Sequence, residues 1–330
     1  MVTEKVPWGD GKNTQTVELR QFLANWAWRL SWKETAECFG TTFGKVFRAV
    51  TWIVEWGLKH RDLSGVMKIG VDEIQRSKGH NYMTLAYQLD EENKRLLGIE
   101  KGREEKSLDQ FFDEFDEGTK GENKRSLGIQ FVCSDMWKQF LNVITRRCLN
   151  ALNILGRLSH LTKAVDETRK LDVAKLKSQK KEKVLTRSKY IFLKNPENST
   201  EKQAMKLDEL LRCNLRVIRS YLMKEAFERF WSYKSWYFAG RFLDEWCVRA
   251  MRSKIDPMKK FVGTIRNHRE LLLNWFKSKG LSSGMVEGFN NKVKLTVRKG
   301  YGYGSDESLK IALFHALAKL PEPKFTHRFW

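Results

Sequence analysis

The sequence predicts an α/β chain in which a mixed five-stranded sheet with flanking helices is preceded by a helix-turn-helix and interrupted by a large all-helical insertion. Three observations predict it. Between residues 67 and 155, apolar runs of strand length alternate with polar turns and two short helical patterns. On either side, residues 17–58 and 161–280 place their apolar side chains at three- and four-residue steps instead. Two of the apolar runs, residues 68–74 (KIGVDEI) and 128–137 (GIQFVCSDMW), break at a carboxylate, Asp72 and Asp135, where the strand pattern would otherwise continue. The domain plan is then residues 1–66 as the helix-turn-helix region, 67–160 as the first part of the sheet-bearing core, 161–280 as the helical insertion, and 281–330 as the core's C-terminal helix and tail.

A chain of 330 residues, 41% of them hydrophobic, is long enough for two or three domains with a large core. Its 61 Lys and Arg against 40 Asp and Glu leave a net charge of +21, which favours a polyanionic partner. Nucleic acid comes first and a membrane surface second. No apolar run approaches the roughly 20 residues that span a bilayer, and the N-terminal MVTEKVPWGDGKN is too polar for a secretory signal. The five cysteines are widely spaced without a CxxC, and the six histidines show no metal-ligand spacing, so reduced thiols in a cytoplasmic protein are expected.

In chain order, Leu19, Phe22, Leu23, Trp26 and Leu30 mark a first helix, and residues 32–58 hold two helical patterns broken at Gly40-Thr41-Thr42. In a helix-turn-helix the second helix enters the major groove, which here would present Thr42, Lys45 and Arg48, with Lys33 near the phosphates. The same spacing also suits an ordinary helical hairpin whose Trp26, Phe39, Phe43, Phe47 and Trp52 are core. KIGVDEI, NYMTLAYQLD and RLLGIEKG then read as three strands of an antiparallel meander. SLDQFFDEF is an amphipathic helix with Leu108, Phe111, Phe112 and Phe115 on one side, GIQFVCSD a fourth strand covered on both faces, residues 137–147 a helix, and ALNIL a fifth strand. Three strands, helix, strand, helix, strand is the ribonuclease H-like order, with the first and fourth strands adjacent and parallel. Ligands of open α/β sheets sit beyond the carboxyl ends of such strands, where Asp72 and Asp135 would be neighbours. Close carboxylates repel unless a cation offsets them, and oxygen-only ligands suit Mg²⁺ or Mn²⁺. Either aspartate alone also reads as a strand-end cap.

Residues 161–280 are helical throughout. KLKSQKKEKVLTRSK is a solvated face or link, TEKQ has capping-box form, and Leu207, Leu210, Leu211, Leu215, Ile218 and Leu222 predict one long helical seam. Phe230, Trp231, Tyr233, Trp236, Tyr237 and Trp246 crowd together among basic residues; aromatics so placed can stack on unpaired bases, but most are expected in the core. Finally, Ser282 or Ser283 can cap a helix in which Met285, Phe289 and Val293 form one stripe and Glu287, Asn290, Asn291 and Lys294 another. Gly288 destabilises that helix by roughly 1 kcal/mol relative to Ala, which points to something passing close beside the acid. Asn291, Lys292, Lys294, Arg298 and Lys299, with the glycines of 300–304, would form a phosphate-contacting strip. The plainer reading of Glu287 is a solvated acid on a basic helix.

The motifs VPWGDGK, LSWKETAE, IGVDEIQ with the following KGH, VCSDMWK, LKNPEN, LDEWC, MRSKIDPMKK and SSGMVEGFNNKVKLTVRK, in this order, resemble the bacterial insertion-sequence transposases of the ISL3 type, from about Val6 to the terminal PEPKFTHRFW. The resemblance implies a DDE enzyme with a ribonuclease H-like catalytic core whose acidic triad falls on Asp72, Asp135 and Glu287. It further implies two Mg²⁺ or Mn²⁺ ions held by that triad, double-stranded DNA as partner (terminal inverted repeats and target DNA), a homo-oligomer on DNA, and a bacterial cytoplasmic, nucleoid-associated location. Two departures stand out. The family carries a small zinc-binding module ahead of PWGDGK, so a truncated N-terminus is expected here. Its Asp-Arg-Phe-His after the fifth strand is replaced by Leu155-Gly156-Arg157-Leu158-Ser159-His160. Two functions therefore stand side by side: a working transposase, or a catalytically decayed or truncated one that acts only by binding DNA.

Overall fold

The computed structural model describes residues 14–76, 79, 81–135, 137–155, 159–180, 182–194, 196–278, 284–300 and 302–324. Thr16 accepts a hydrogen bond from the Leu19 amide and starts α1 (Val17–Arg29), while Ser31 and Glu34 close a capping box at the head of α2 (Trp32–Cys38). Gly40, with φ of +58°, turns the chain into α3 (Phe43–His60), which buries Val46, Ala49, Val50, Ile53 and Val54 at helical steps. Phe39 sits between Phe22 at 4.8 Å and Trp26 at 5.5 Å, and Arg20 lies over the Trp52 ring. Phe43, a candidate for the core of a simple hairpin, is instead 54% exposed.

Strands β1 (Lys68–Gln75), β2 (Tyr82–Gln88) and β3 (Arg95–Lys101) form the expected antiparallel meander. They are followed by α4 (Glu105–Phe115), β4 (Phe131–Ser134), α5 (Lys138–Arg147) and β5 (Leu152–Leu155). The sheet order is β3-β2-β1-β4-β5, and β4 runs parallel to β1 with Lys68 opposite Phe131 and Val71 opposite Ser134. β4 begins three residues later than its apolar run, because residues Arg125–Gly128 close a 3-10 turn first.

The chain then passes through α6 (Ser159–Ser178), α7 (Lys189–Leu193), α8 (Glu201–Leu211), α9 (Arg216–Glu228), α10 (Trp236–Arg252), α11 (Asp256–Asn267) and α12 (Arg269–Lys277), and returns with α13 (Gly284–Lys299) and α14 (Asp306–Leu317). Strand alternation gives the sheet two apolar faces. Ile69, Val71 and Val132 pack on Phe111, Phe112, Phe140 and Ile144 of α4 and α5. On the other face, Leu85, Tyr87, Leu96 and Cys133 pack on Val286, Phe289 and Val293 of α13 and Leu309 and Leu313 of α14. These elements and the first three helices make one compact unit, residues 1–153 with 283–330.

Residues 154–282 form the second unit. Thr200 and Gln203 close a capping box at α8 as the sequence predicts. The single long seam is two helices, however: the chain breaks between Leu211 and Arg216, and Leu211 and Leu222 are exposed. The cause is tertiary. Buried Asp172 of α6 accepts from the Val217 amide and the Arg216 guanidinium, both at 2.8 Å, so a carboxylate distant in sequence caps α9. Phe230 and Trp246 are buried with Phe227 and Phe261, whereas Trp236 and Tyr237, at the start of α10, are more than half exposed. Among the described residues no helix is long and apolar enough to cross a membrane.

Candidate active site

The register of β1 and β4 brings two acids to one end of the sheet. Val71 opposite Ser134 is the last parallel pair, and Asp72 and Asp135 come next; β4 stops at Ser134 as expected, but β1 does not break at Asp72 and runs on to Gln75, because β2 keeps pairing with it. Alternation turns Asp72 to the side of Gly70 and Ile74, the face covered by α13. There Asn290 of α13 donates from Nδ2 to Asp72 Oδ2 at 2.5 Å, and the Glu73 amide donates to Oδ1 at 2.8 Å. Burial raises the Asp72 pKa; these two hydrogen bonds oppose the rise, the Asp135 charge adds to it, and Lys294 works against it. Cys133, buried on β4 opposite Gly70, is pushed up to about 12 by burial and by the charges of both acids, so it is a neutral thiol.

Glu287 is exposed on α13, one turn before Asn290. Residues three and four apart share a helix face, so the contact of Asn290 with Asp72 and the field of Lys294 on it set the polar stripe of α13 against Asp72. Its apolar stripe is fixed by Gly70, where a Cβ would lie 2.6 Å from Val286 Cγ2. Gly288 faces open space, and an added Cβ there would meet nothing within 4 Å. Nothing in the described protein, then, uses the room it leaves.

Of the other expected contact residues, Lys33 is exposed and pairs loosely with Glu37 at 3.9 Å, Thr42 is the exposed N-cap position of α3, Lys45 is half-buried and Arg48 exposed. Asn291, Lys292, Lys294 and Arg298 are exposed along α13. Lys299 instead donates to the Trp28 carbonyl at 2.7 Å, fastening the end of α13 to α1. Ser282, Ser283, Lys78, His80, Met136, residues 156–158 and the PWGDGK motif lie outside the described residues. His160 opens α6; His268 has its pKa lowered by burial and by His160. The sequence reading missed Tyr87, whose hydroxyl donates to Asn290 Oδ1 at 2.8 Å. Nothing in a buried strand residue announces such a role, whereas the spacing of Asn290 from Glu287 does.

Among the described residues, no group of three or more His, Cys, Asp or Glu forms a ready metal cluster. The donors past the β1–β4 pairing nevertheless fit a hard divalent cation: two carboxylates near enough that the Asp135 charge raises the Asp72 pKa, beside a thiol that stays protonated. Residues 69–313, a span that contains Asp72, Asp135 and Glu287, match the family model of ISL3-type DDE proteins described as a transposase. The chain belongs to the ISL3-type DDE transposase family. Among its relatives, the transposase for insertion sequence element IS1557 of Mycobacterium tuberculosis is 26% identical over 271 residues, covering 74% of this chain and 59% of that protein. The transposase for IS1001 of Bordetella parapertussis is 25% identical over 256 residues, 76% of this chain and 61% of that protein. The match thus spans about three fifths of these relatives. Helices α1 to α3 lie ahead of the segment that matches the transposase family.

Proposed function

We propose that this chain acts as an insertion-sequence transposase, cutting transposon ends and joining them to target DNA through Asp72, Asp135 and Glu287. The observation that carries the reading is the acid pair: Asp72, inside β1, and Asp135, just past β4, each follow the last parallel pair of the two strands, and Asp72 is bonded to the helix that bears Glu287. Asp72 and Asp135 would hold a Mg²⁺ or Mn²⁺ pair, with Glu287 completing the set from α13. When bound, such a pair supplies activation of water for in-line attack on a phosphodiester and stabilisation of the leaving 3′ oxygen. No covalent enzyme intermediate is needed, so no serine or tyrosine nucleophile is assigned.

Lys294 and Arg298, with Asn291 and Lys292, would carry the DNA backbone along α13 past Glu287. Helices α2 and α3, joined by residues 39–42 around Gly40, are read as the helix-turn-helix, with Thr42, Lys45 and Arg48 facing the major groove and Lys33 a phosphate. The partners are duplex terminal repeats and target DNA in the bacterial cytoplasm, engaged by two or more copies of the chain.

The test is cleavage of a labelled duplex carrying the element's terminal repeat, with Mg²⁺ or Mn²⁺. Asp72→Ala, Asp135→Ala and Glu287→Gln are each expected to keep duplex binding and to lower nicking by at least a thousandfold, as removal of a catalytic metal ligand does to order of magnitude. Nicking that persists in Asp135→Ala would sink the assignment.

A further inference from the structure

Tyr87 and Asn290 are two buried or half-buried polar side chains for which the acidic triad leaves no role. Tyr87 has 0% exposure and lies on β2 directly opposite Gly70, at the point where the β2–β3 register shifts between Ala86 and Tyr87. Such irregularities re-aim side chains beside functional sites. Its ring stacks on Phe289, centroids 4.6 Å apart and planes 16° from parallel. Its hydroxyl donates to Asn290 Oδ1, and burial raises its pKa, so the proton stays on the phenol. A carbonyl oxygen only accepts; with Oδ1 given to Tyr87, the Asn290 amide must present Nδ2 to Asp72. Val286 against Gly70, Phe289 against Tyr87 and Asn290 against Asp72 thus dock one stripe of α13 on β1 and β2.

We propose that Tyr87 and Asn290 form a positioning relay for the cation site: Tyr87 sets the Asn290 amide, and Asn290 orients the Asp72 carboxylate and holds α13 where Glu287 can join Asp72 and Asp135. The inference rests on reading these three acids as cation ligands. Partners that orient a ligating carboxylate contribute about 10- to 100-fold to metal affinity. Neither Tyr87 nor Asn290 needs to touch the cation or the DNA.

The experiment measures Mn²⁺ affinity of the full chain by electron paramagnetic resonance, alongside duplex affinity and melting temperature. It compares the wild type with Tyr87→Phe, Asn290→Ala, their double variant and Asp72→Ala. Tyr87→Phe keeps the ring and its stack and removes only the hydroxyl. It is expected to weaken Mn²⁺ binding about 10-fold while duplex affinity and melting temperature stay near the wild-type values. The double variant is expected to bind Mn²⁺ no more weakly than Asn290→Ala, because Tyr87 acts only through Asn290. Unchanged Mn²⁺ affinity in Tyr87→Phe, or additive losses in the double variant, would overturn the relay. So would losses of Mn²⁺ affinity, duplex affinity and melting temperature in step, the mark of a pair that only holds the fold. Asp72→Ala separates the two levels: if it too binds Mn²⁺ like the wild type, the underlying ligand assignment fails, and not the relay alone.

Discussion

One absent methyl group decides how closely α13 approaches the sheet. At Gly70 an added Cβ would lie 2.6 Å from Val286 Cγ2 and 3.0 Å from Leu89 Cδ1, and neither neighbour sits on a long flexible arm. Gly70→Ala is therefore expected to lower stability by about 1–3 kcal/mol, read by urea denaturation, and to lower cleavage further by displacing Asn290 from Asp72. Gly288→Ala should do the reverse to stability, raising it by about 1 kcal/mol, because its Cβ meets nothing. If DNA runs beside Glu287, that more stable variant cuts more slowly; an undiminished rate would remove DNA from that side of the helix. His315, half-buried on α14, is pushed down to about 4 by burial and by Lys299. Its folded-state pKa is below the unfolded value of about 6.5, so the unfolded chain takes up the proton first. The neutral ring's contribution is intact above about pH 6.5 and is lost as pH falls towards 4. Between pH 7 and 5 the melting temperature should drop by the equivalent of about 1 kcal/mol, allowing for partial exposure, and His315→Gln should flatten that slope.

Side-chain caps among the described helices are of two kinds. The caps at Thr16, Ser31, Thr200 and Ser305 are local, three residues from the amide they serve. Asp172 is the other kind, buried on α6 yet capping α9 more than forty residues later. Removing it would strand the buried Val217 amide and take the ion-pair partner from Arg216, whose side chain is 38% exposed. Asp172→Ala is expected to destabilise the helical unit by about 2–3 kcal/mol, whereas Thr200→Ala should cost only about 1 kcal/mol; paired denaturation curves distinguish the two.

For the molecule as a whole, the charge of +21 bears on how it would meet DNA, under the proposed function, more than on how it folds. If Lys33, Lys45, Arg48, Lys292, Lys294 and Arg298 each neutralise a phosphate, the logarithm of duplex affinity should fall against the logarithm of salt with a slope near −5. Arg298→Ala should reduce that slope by about 1. Lys299→Ala should leave it unchanged, because its ammonium already serves the Trp28 carbonyl.

How much of this was legible follows from the range of each interaction. Hydrophobic period and turn residues act over a few positions, and they alone determined the meander, the amphipathic α4, the fourth strand stopping before Asp135 and the placing of Glu287 on a helix, but not the run of β1 through Asp72. The parallel partnership of β1 and β4 followed from the order of elements. Only the tertiary structure decided what depends on groups far apart in the chain. It split the leucine seam at α9, left Trp236 and Tyr237 exposed, turned Lys299 inward, and set Tyr87 and Asn290 against Asp72. No local pattern encodes these contacts, because each exists only once a strand and a helix some two hundred residues apart, or two helices distant in the chain, have packed together.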